Sequence, residues 1–440
     1  MAPGLVETGK PEVVTSELSL QPPQAAESWL DALKPVPTDE IFALLGEYLK
    51  DPHPDKVNLS VGVYRTADSK PWVLSSVAKA EDKLVQEKSE ARHEYLPIAG
   101  DVKFLEQARD LSLGFNKQTP EEDKKRTVSV QTISGSGANH VGAVFLAKYL
   151  KPKNIWMSNP TWGNHHAIWD AASSDIKQRF YPYYDNATRS LDFDGMVKTL
   201  DAEAQAGDAI LLQACAHNPT GLDPTHEQWK IIADLCERKR IFPFFDMAYQ
   251  GFASGSIAED SWAIRYFFKE KPNLDMFIAQ SFSKNFGLYG QRVGALHFVL
   301  SKPDPTANAA VFTHLCNIIR GEYSMAPSGG AAIVKTILAD PELTSDWHAD
   351  LDVMSGRIKL ARQLLYDELK KLKTPGTWEH IVNQNGMFSY VGLTPAQVSF
   401  VKEKHHVYML QSARASISGL NPSNAAHVAK AIDDSVREVK

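Results

Sequence analysis

The feature that constrains the fold most is a series of short apolar segments between residues 127 and 300, separated by stretches with helical periodicity. The four segments from residue 208 onwards are nearly continuous in their apolar residues, which is typical of strands buried on both faces of a sheet. Amphipathic stretches, such as residues 225–239, indicate helices between them. We therefore predict a mostly parallel α/β sheet covered by helices. The predicted strands are residues 127–134, 154–159, 208–215, 241–249, 275–282 and 293–300.

The pattern changes after residue 327, which indicates a second domain. Two helical stretches flank Pro341 there, and they are followed by two strand-like segments and a last helix. These stretches are residues 329–339, 345–373, 386–393, 407–420 and 422–439. We predict a large domain over residues 75–327 and a smaller α+β domain over residues 328–440, against which residues 28–74 pack. Residues 1–27 are rich in proline and polar residues, so we expect a poorly ordered tail.

Charge, hydropathy and cysteine content exclude several classes of protein. The formal net charge of −6 does not favour binding to nucleic acid or to an anionic membrane. No apolar run approaches the roughly 20 residues of a membrane-spanning helix. Cys215, Cys236 and Cys316 form no CxxC pair, so we expect free thiols in a reducing compartment. The N-terminal segment has no apolar core and carries several glutamates, unlike a signal or transit peptide, so the cytoplasm is the expected location.

Small and polar residues follow the predicted strands, at the edge of the sheet where open α/β proteins bind ligands. Gly135 and Gly137 follow the first strand and let backbone approach a ligand, and the free N–H groups of the next helix N-terminus suit a phosphate. An ordinary strand-to-helix turn is the alternative explanation. The dinucleotide-binding motif does not fit, because His140 stands where its third glycine is required.

The next two strands are followed by an aromatic residue and an amide. Trp162 can stack on a flat ring, although a buried core tryptophan is the alternative. His165 and His166 follow, but adjacent residues rarely bind one ion and no third ligand has suitable spacing, so we predict no metal site. Asn218 presents its amide in an Asn-Pro turn, for which a simple turn without a ligand is the alternative.

Charged residues lie at the ends of two further strands. An unpaired carboxylate at Asp246 is costly to bury, so it needs a cationic or donor partner, and a structural arginine is the alternative to a ligand. Tyr249 follows three residues later. Lys284 lies among apolar and small residues, where an amine loses its proton and forms Schiff bases, although surface lysines are common. Arg292 offers a bidentate fork for phosphate.

Together these residues match the groups of one ligand. The glycine turn, serines and arginine suit a phosphate, and the tryptophan suits a flat ring. The carboxylate suits a cationic ring nitrogen, the tyrosine and asparagine suit a ring oxygen, and the lysine suits an aldehyde. Pyridoxal 5'-phosphate carries all of these groups, and a Schiff-base lysine with an acidic partner at the ring nitrogen is the recurring protein contribution. We therefore predict this cofactor.

The sequence resembles the aspartate aminotransferases of the type I pyridoxal-phosphate fold. The segments that carry the resemblance are VNLSVGVYR, EYLPIAG, SGSGA, NPTWGNH, HNPTG, FFDMAYQGF, SFSKNFGLYGQRVG and SARASISGL. They span nearly everything beyond the N-terminal tail, and SFSKNF is most similar to cytosolic members. The resemblance implies a seven-stranded, mostly parallel sheet in the large domain and a smaller α+β domain.

The resemblance also implies a role for each matching residue. Lys284 is the expected Schiff-base and proton-transfer residue, Asp246 the partner of the ring nitrogen, and Arg414 the ligand of the substrate α-carboxylate. Tyr95 and Arg320 match residues that reach into the neighbouring subunit's site, so a homodimer with shared active sites is expected. The other expected roles are phosphate binding by Ser134, Gly135, Ser136, Ser281 and Arg292, cofactor-ring and substrate contacts by Trp162, Asn218 and Tyr249, and a backbone contact to the substrate at Gly62.

The expected reaction transfers the amino group of L-aspartate to 2-oxoglutarate, giving oxaloacetate and L-glutamate with ping-pong kinetics. Two residues depart from the family pattern: Gln291 replaces a glutamate, and Met325 replaces an asparagine near the distal end of the substrate. An aminotransferase with an aromatic or specialised amino donor is therefore the first alternative. A nicotinamide-dependent dehydrogenase is disfavoured by His140, and a non-catalytic binding protein by the presence of Lys284 together with its charged partners.

Overall fold

The computed structural model describes residues 28–30, 33–36, 38–87 and 93–439. The chain divides into two compact units, Met1–Asp39 and Glu40–Lys440, and the elements named below belong to the second. The predicted tail at residues 1–27 lies outside the described residues. Of the helices in the described ranges, none is long and apolar enough to cross a membrane.

The helices and strands of the described residues alternate through most of the chain. The strands are β1 (Val57–Asn58), β2 (Thr127–Ile133), β3 (Asn154–Asn159), β4 (Lys177–Pro182), β5 (Tyr184–Asp185), β6 (Ser190–Leu191), β7 (Ala209–Gln213), β8 (Phe242–Met247), β9 (Met276–Ser281), β10 (Val293–Val299), β11 (Phe388–Tyr390), β12 (Val407–Tyr408) and β13 (Arg414–Ser416). The helices are α1 (Glu40–Lys50), α2 (Ser75–Gln86), α3 (Val102–Leu113), α4 (Glu121–Lys124), α5 (Ser134–Phe145), α6 (Asn164–Ala172), α7 (Phe193–Glu203), α8 (His226–Lys239), α9 (Ile257–Asp260), α10 (Trp262–Glu270), α11 (Pro305–Glu322), α12 (Ser328–Ala339), α13 (Pro341–Lys371), α14 (His380–Asn383), α15 (Pro395–His405) and α16 (Ala425–Glu438).

Seven of the described strands form one sheet in the order β2-β10-β9-β8-β7-β3-β4. Strand β10 runs antiparallel to both of its neighbours, and every other pair is parallel. Strands β2, β9, β8, β7 and β3 therefore point in one direction, and their carboxyl ends meet at one edge of the sheet. The predicted mostly parallel sheet is confirmed, and the six predicted strands agree with the observed bounds to within two residues.

Apolar side chains cover both faces of this sheet. Every residue of β7, β9 and β10 is buried. Residues of α5 and α11, such as Val141 and Leu315, pack on one face, and residues of α8 and α10, such as Ile232 and Phe267, pack on the other. Burial on both faces explains why the apolar segments are continuous rather than alternating.

Two features of the fold differ from the sequence-based expectation. The apolar pattern does not predict β4, because this strand lies at the edge of the sheet and Tyr181 is its one buried residue. Pro341 does not separate two helices but is the first residue of α13. Asp340 caps that helix by accepting from Glu342 N at 3.0 Å and Leu343 N at 3.3 Å, and proline is well suited to a first helical position.

The C-terminal part of the chain forms a second layer of structure with residues from the N-terminal side. Strand β1 pairs in parallel with β12, with Val57 opposite Val407. Helix α13 packs against α16, and α2 packs against both α12 and α13. Residues Val57 and Asn58 are thus paired with the C-terminal part, and the assignment of residues 28–74 to the smaller domain remains a prediction. The exact domain boundaries at residues 75 and 327 remain predictions.

Candidate active site

Lys284 lies just beyond β9, at the edge where the parallel strands end, and it is partly exposed. Its Nζ is 5.4 Å from the centre of the Tyr249 ring. Burial lowers the pKa of Lys284 below its ordinary value; the negative charge of Asp246 opposes this effect, and the positive charge of Arg292 adds to it. A larger fraction of this amine is therefore neutral and nucleophilic than of an exposed lysine at the same pH.

Asp246 lies at the end of β8 with its side chain only 8% exposed, and a histidine holds it in place. His165 Nε2, on α6, is 3.1 Å from Asp246 Oδ2, and His165 Nδ1 is 2.9 Å from Thr161 Oγ1. An ionised carboxylate only accepts hydrogen bonds, so Nε2 donates and the ring keeps the carboxylate in one orientation. The neighbouring His166 instead contacts Gln178 Oε1, at 2.8 Å, so the two histidines do not act on one site.

Sequence reasoning predicts that Asp246 has a donor partner but does not identify it. The available signal is the position of the two histidines, which follow β3 at the same edge of the sheet. The fold brings His165 of α6 next to Asp246 at the end of β8, and a sequence pattern does not show this proximity. His165 and His166 thus have different protein partners, Asp246 and Gln178.

The turn between β2 and α5 gathers three serine hydroxyls. Helix α5 begins at Ser134, which has a left-handed φ of 59°. Ser134 Oγ lies 2.8 Å from Ser283 Oγ and 3.2 Å from Ser281 Oγ. A Cβ added at Gly135 would lie 2.9 Å from Ser281 Cβ, so a larger residue does not fit. These hydroxyls and the unpaired N–H groups of the first helical turn suit an anion. Ser283 is the member of this group that sequence reasoning does not single out.

Arg292 brings a positive charge to the same region. Its Nη1 donates to Tyr289 O at 3.0 Å. Arg292 and Ser136 both line a cavity of about 370 Å³ between α5, α6 and the end of α11. Burial lowers the pKa of Arg292, but a guanidinium still remains charged at neutral pH. The structure thus brings Ser136 and Arg292, both predicted phosphate ligands, to one cavity.

Arg414 on β13 is buried and held by groups from two distant parts of the chain. Its Nη2 donates to Ser60 O at 2.7 Å, and its Nη1 to Asn218 Oδ1 at 3.5 Å. The guanidinium carbon lies 4.2 Å from the centre of the Phe388 ring. The same ring fills the space above Gly62, where an added Cβ would lie 2.6 Å from Phe388 Cζ. Arg414, Asn218 and Gly62 are therefore neighbours, and Phe388 is a contact residue that the sequence pattern does not reveal.

Tyr249 and Trp162 complete the surroundings of Lys284 and Asp246. Burial raises the pKa of Tyr249 far above its ordinary value, although the charge of Arg414 partly offsets this effect. The phenol therefore keeps its proton and is able to donate it in a hydrogen bond. The partly buried Trp162 contacts His165 edge to face, with ring centres 5.1 Å apart. Tyr249 thus lies beside the lysine, and Trp162 lies beside the histidine that contacts Asp246.

Tyr95 and Arg320 are the predicted site residues that the fold does not bring to this cluster. Tyr95 is 87% exposed. Arg320 is exposed in the last turn of α11, where its Nη1 donates to Ser324 Oγ. Within the described part of the chain, neither residue hydrogen-bonds to the groups around Lys284. Their predicted role in a neighbouring subunit stays a proposal.

The donor set of the cluster fits pyridoxal phosphate. Three hydroxyls, a helix N-terminus and Arg292 suit a phosphate, and the buried carboxylate of Asp246 suits a cationic ring nitrogen. The phenol of Tyr249 is protonated and suits a ring oxygen, and the partly neutral amine of Lys284 suits an aldehyde. Gly135 lets the turn before α5 pack closely against Ser281, because an added Cβ would lie 2.9 Å from Ser281 Cβ.

Comparisons with known proteins agree with this chemistry. The family model for aminotransferase class I and II matches residues 54–432. An L-tyrosine:2-oxoglutarate aminotransferase from Aspergillus ustus is 54% identical over 410 residues, which are 92% of this chain and 78% of that protein. The structure of aspartate aminotransferase from the cytoplasm of Saccharomyces cerevisiae superposes with a TM-score of 0.90 and 43% identity, covering 94% of this chain and 99% of that one.

A third similar protein carries the cofactor itself. The aromatic-amino-acid aminotransferase from Burkholderia pseudomallei, which is covalently bound to pyridoxal phosphate, superposes with a TM-score of 0.88. It is 37% identical, and the match covers 93% of this chain and all of that one. These matches confirm the predicted resemblance, the fold class and the cofactor. The chain belongs to the class I and II aminotransferases, enzymes that use pyridoxal phosphate to transfer amino groups between amino acids and oxo acids.

Proposed function

We propose that this enzyme transfers the amino group of L-aspartate to 2-oxoglutarate, in the cytoplasm, as a homodimer with shared active sites. The observation that supports binding of an amino acid at this site is the geometry of Arg414. Its buried guanidinium is fixed by Ser60 O and Asn218 Oδ1 next to the cofactor cluster. A fixed fork of N–H donors suits the α-carboxylate that every amino acid substrate carries. The match to the yeast cytoplasmic aspartate aminotransferase covers 94% of this chain and 99% of that one, and it supports both the substrate and the compartment.

When bound, pyridoxal phosphate supplies an aldehyde that exchanges between amines and a ring that withdraws electrons from the substrate α-carbon. Lys284 Nζ would accept the proton that leaves this carbon and deliver it to the cofactor carbon that carries the aldehyde, because its lowered pKa leaves the amine neutral for part of the time. Asp246 holds a proton at the ring nitrogen, and His165 keeps the carboxylate oriented through the bond to Oδ2.

The remaining residues bind and orient. The hydroxyls of Ser134 and Ser281 and the guanidinium of Arg292 hold the phosphate. Tyr249 donates its phenolic proton to the ring oxygen, and Asn218 contributes its amide. Arg414 fixes the α-carboxylate, so that the proton on the α-carbon faces Lys284. Each of these groups is buried or partly buried, which strengthens its electrostatic interactions by excluding water.

The preference for a dicarboxylic substrate depends on a second arginine. Arg320 is exposed, and within the described residues its guanidinium donates to a neutral hydroxyl, that of Ser324, rather than to a carboxylate. In a homodimer with shared sites, this arginine is available to the distal carboxylate of aspartate, glutamate or their oxo acids in the neighbouring subunit's site. Such a fork-to-carboxylate pair is planar, bidentate and charged.

Tyrosine is a second candidate amino donor, with 2-oxoglutarate as acceptor. The 54% identity with a tyrosine:2-oxoglutarate aminotransferase favours it. Met325, next to Ser324, supports it as well, because the aspartate aminotransferase pattern has a polar residue there. A methionine side chain is flexible and adapts to apolar groups of irregular shape. The two candidates differ only in what the distal end of the substrate pocket binds best.

Steady-state kcat/KM values with 2-oxoglutarate as acceptor distinguish these candidates. We expect wild-type enzyme to prefer aspartate over tyrosine and phenylalanine. Arg320→Ala is expected to raise the transition-state free energy for aspartate by about 2–5 kcal/mol, which lowers kcat/KM roughly 30-fold or more. The reason is that the distal carboxylate of aspartate loses its partner. The same change leaves tyrosine and phenylalanine nearly unaffected.

Two matched variants complete the design. Arg320→Lys retains the charge and loses the fork, so kcat/KM for aspartate falls by less than in Arg320→Ala. Arg414→Ala impairs every amino donor, because all of them carry an α-carboxylate. A wild-type preference for tyrosine would move the assignment to the second candidate. Equal losses for aspartate and tyrosine in Arg320→Ala would contradict the dicarboxylate proposal.

A further inference from the structure

We propose that Gln131 is a positioning residue that holds, from inside the sheet, both loops whose residues reach the neighbouring subunit's active site. This inference rests on the proposed function, because it takes Tyr95 and Arg320 to act in the neighbour's site. The first loop, residues 95–100, carries Tyr95 and leads into α3. The second loop, residues 323–327, follows Arg320 and leads into α12.

Gln131 is a fully buried amide in the middle of β2, where it lies opposite Ala295 of β10. Its Oε1 accepts from Asp101 N at 3.0 Å, and its Nε2 donates to Pro327 O at 2.8 Å. Its backbone N also donates to Ala99 O at 2.7 Å. One side chain therefore satisfies an N–H at the end of the first loop and a C=O at the end of the second.

The two contacted groups are the starting points of two helices. Asp101 is the N-cap of α3, where its Oδ1 accepts from Phe104 N at 3.1 Å, and Pro327 is the N-cap of α12. Lys335 of α12 also forms an ion pair with Asp101 Oδ2. Burial alone would raise the pKa of Asp101, but the bonds from Lys335 and Phe104 N outweigh it and hold this pKa below its ordinary value. The helices, and the loops that lead into them, are thus tied together at one place.

The packing around Gln131 leaves the first loop no freedom to shift. Gly100 has a φ of +103°, and a Cβ added there would lie 2.2 Å from Gln131 Cβ. The loop that carries Tyr95 therefore rests directly on the glutamine. Asp101 N requires an acceptor and Pro327 O requires a donor. The glutamine side chain has the length to reach both groups and carries one of each at its end.

The link to Arg320 runs through the second loop. Arg320 Nη1 donates to Ser324 Oγ, and Ser324 lies three residues before Pro327, whose carbonyl Gln131 binds. Ser324 has a left-handed φ of 70°, so this loop has a specific backbone conformation. Ser324 N donates to Ile319 O of α11 at 2.9 Å, so the start of this loop is attached to the helix that carries Arg320, and Gln131 attaches its other end. A change at Gln131 releases the carbonyl of Pro327, and the loop beside Arg320 loses its second point of attachment.

Two substitutions separate the two contacts. Gln131→Glu retains an acceptor for Asp101 N but loses the donor to Pro327 O, so it releases the loop after Arg320. Gln131→Met has a similar length and loses both bonds. We expect kcat/KM for aspartate to fall at least tenfold in both variants. In Gln131→Glu, kcat/KM for phenylalanine falls much less, because the loop before Tyr95 is still held.

Hybrid dimers provide the decisive readout, because the proposal places the effect in the other subunit's site. In the first hybrid, one chain carries Lys284→Ala and the other carries Gln131→Met. The surviving Lys284 site then receives its loops from the chain with an intact Gln131. In the second hybrid, one chain carries both changes and the other is wild type, so the surviving site receives its loops from the altered chain. Both hybrids contain the same substitutions.

The first hybrid is expected to match a control hybrid of Lys284→Ala and wild-type chains, and the second to be at least tenfold less active with aspartate. Gln280→Met is the matched control: Gln280 is also a fully buried amide of this sheet, but it bonds to Gln250 and His297 rather than to these loops. Because Gln280 precedes Ser281 of its own chain's site, any loss that it causes should not be larger in the second arrangement than in the first. If Gln131→Met yields no folded protein, Gln131→Glu takes its place in both hybrids.

Equal activities in the two Gln131 hybrids would overturn the inference. A lower activity of the first hybrid would overturn it as well, since a purely structural role of Gln131 acts through β2 on the Ser134 turn of its own chain. The same pair of hybrids made with Arg320→Ala separates this failure from a failure of the proposed function. If the two Arg320 hybrids differ in activity with aspartate and the two Gln131 hybrids do not, only the positioning role of Gln131 is contradicted. If neither pair differs, the shared-site proposal for Arg320 and Tyr95 falls with it.

Discussion

Lys284 and its neighbours show how a fold changes the chemistry of an ordinary side chain. Burial lowers the pKa of Lys284, Asp246 opposes this shift, and Arg292 adds to it. The balance gives an amine that is neutral more often than that of an exposed lysine, next to Asp246 and the proposed phosphate ligands. The phosphate-binding arginine therefore has a second effect, because its charge also disfavours protonation of the lysine.

The reactivity of Lys284 in the apoprotein tests this balance. Cyanate reacts with neutral amines, so carbamoylation of Lys284 rises with pH through the folded-state pKa, which lies below the ordinary 10.5. Asp246→Asn removes the stabilising anion and moves the midpoint to lower pH, whereas Arg292→Met removes a repelling cation and moves it to higher pH. Peptide mass analysis over a pH series measures the midpoint, with Lys269, whose side chain is 82% exposed, as the internal reference. A midpoint at or above 10.5 in wild type would contradict the assignment.

The two adjacent histidines offer a matched pair of residues with different predicted importance. His165 holds Asp246, while His166 contacts Gln178 on the edge strand β4. His165→Leu removes a hydrogen bond to a charged group, which contributes about 1.5–3 kcal/mol, so the single-turnover rate of α-proton removal falls roughly 10- to 100-fold. His166→Leu leaves this rate within about twofold. Equal effects of the two substitutions would show that His165 does not orient the carboxylate.

At the scale of elements, the strand ends decide where the chemistry lies. Strands β2, β9, β8, β7 and β3 end at one edge, so Ser134, Ser281, Asp246, Asn218 and Trp162 converge although they are far apart in sequence. This convergence is predictable, because parallel strands with helical crossovers place their carboxyl ends together. The short edge strand β4 is not predictable from apolar periodicity, because its side chains are mostly exposed and leave no continuous run.

The packing of β10 against the turn at Ser134 gives a prediction at this scale. A Cβ added at Gly294 would lie 2.6 Å from Ser134 C, 2.7 Å from Ser134 O and 2.8 Å from Gln280 O, and backbone atoms cannot move aside like a flexible side chain. Gly294→Ala is therefore expected to destabilise the protein by about 1–3 kcal/mol and to weaken cofactor affinity about tenfold, because it displaces the turn that binds the phosphate.

Denaturant unfolding and a fluorescence titration of the apoprotein with pyridoxal phosphate measure these two quantities. Gly290→Ala is the control, since a Cβ added at Gly290 meets nothing within 4 Å. Normal cofactor affinity in Gly294→Ala would mean that the position of the Ser134 turn does not control phosphate binding.

At the scale of the whole molecule, one site is assembled from the entire length of the described chain. Arg414, near the C-terminus, is fixed by Ser60 from the N-terminal side and by Asn218 from the middle of the sheet. The resemblance predicts that these residues act together, but their contacts depend on packing that no local pattern encodes. Phe388 illustrates the limit, because an apolar residue in a short strand gives no signal that it will cover both Gly62 and Arg414.

Residues whose chemistry is unusual for their surroundings are the ones that sequence reasoning identifies. Lys284 among apolar residues and Asp246 at the end of an apolar strand stand out in this way. Partners such as His165 and Ser283 are missed, because a histidine after a strand or a second serine in a turn is common in any protein. Gln131 is missed for a related reason, since a single amide in an apolar strand does not reveal which loops it binds.

Reduction of the holoenzyme with borohydride, followed by peptide mapping, tests most directly whether these distant segments form one cofactor site. The assignments predict that the cofactor becomes permanently attached to the peptide containing Lys284, with one cofactor per chain. They also predict that the Lys284→Ala variant binds cofactor that remains fully removable after the same treatment. Attachment to a different lysine in wild type, or permanent attachment in Lys284→Ala, would contradict the placement of the active site.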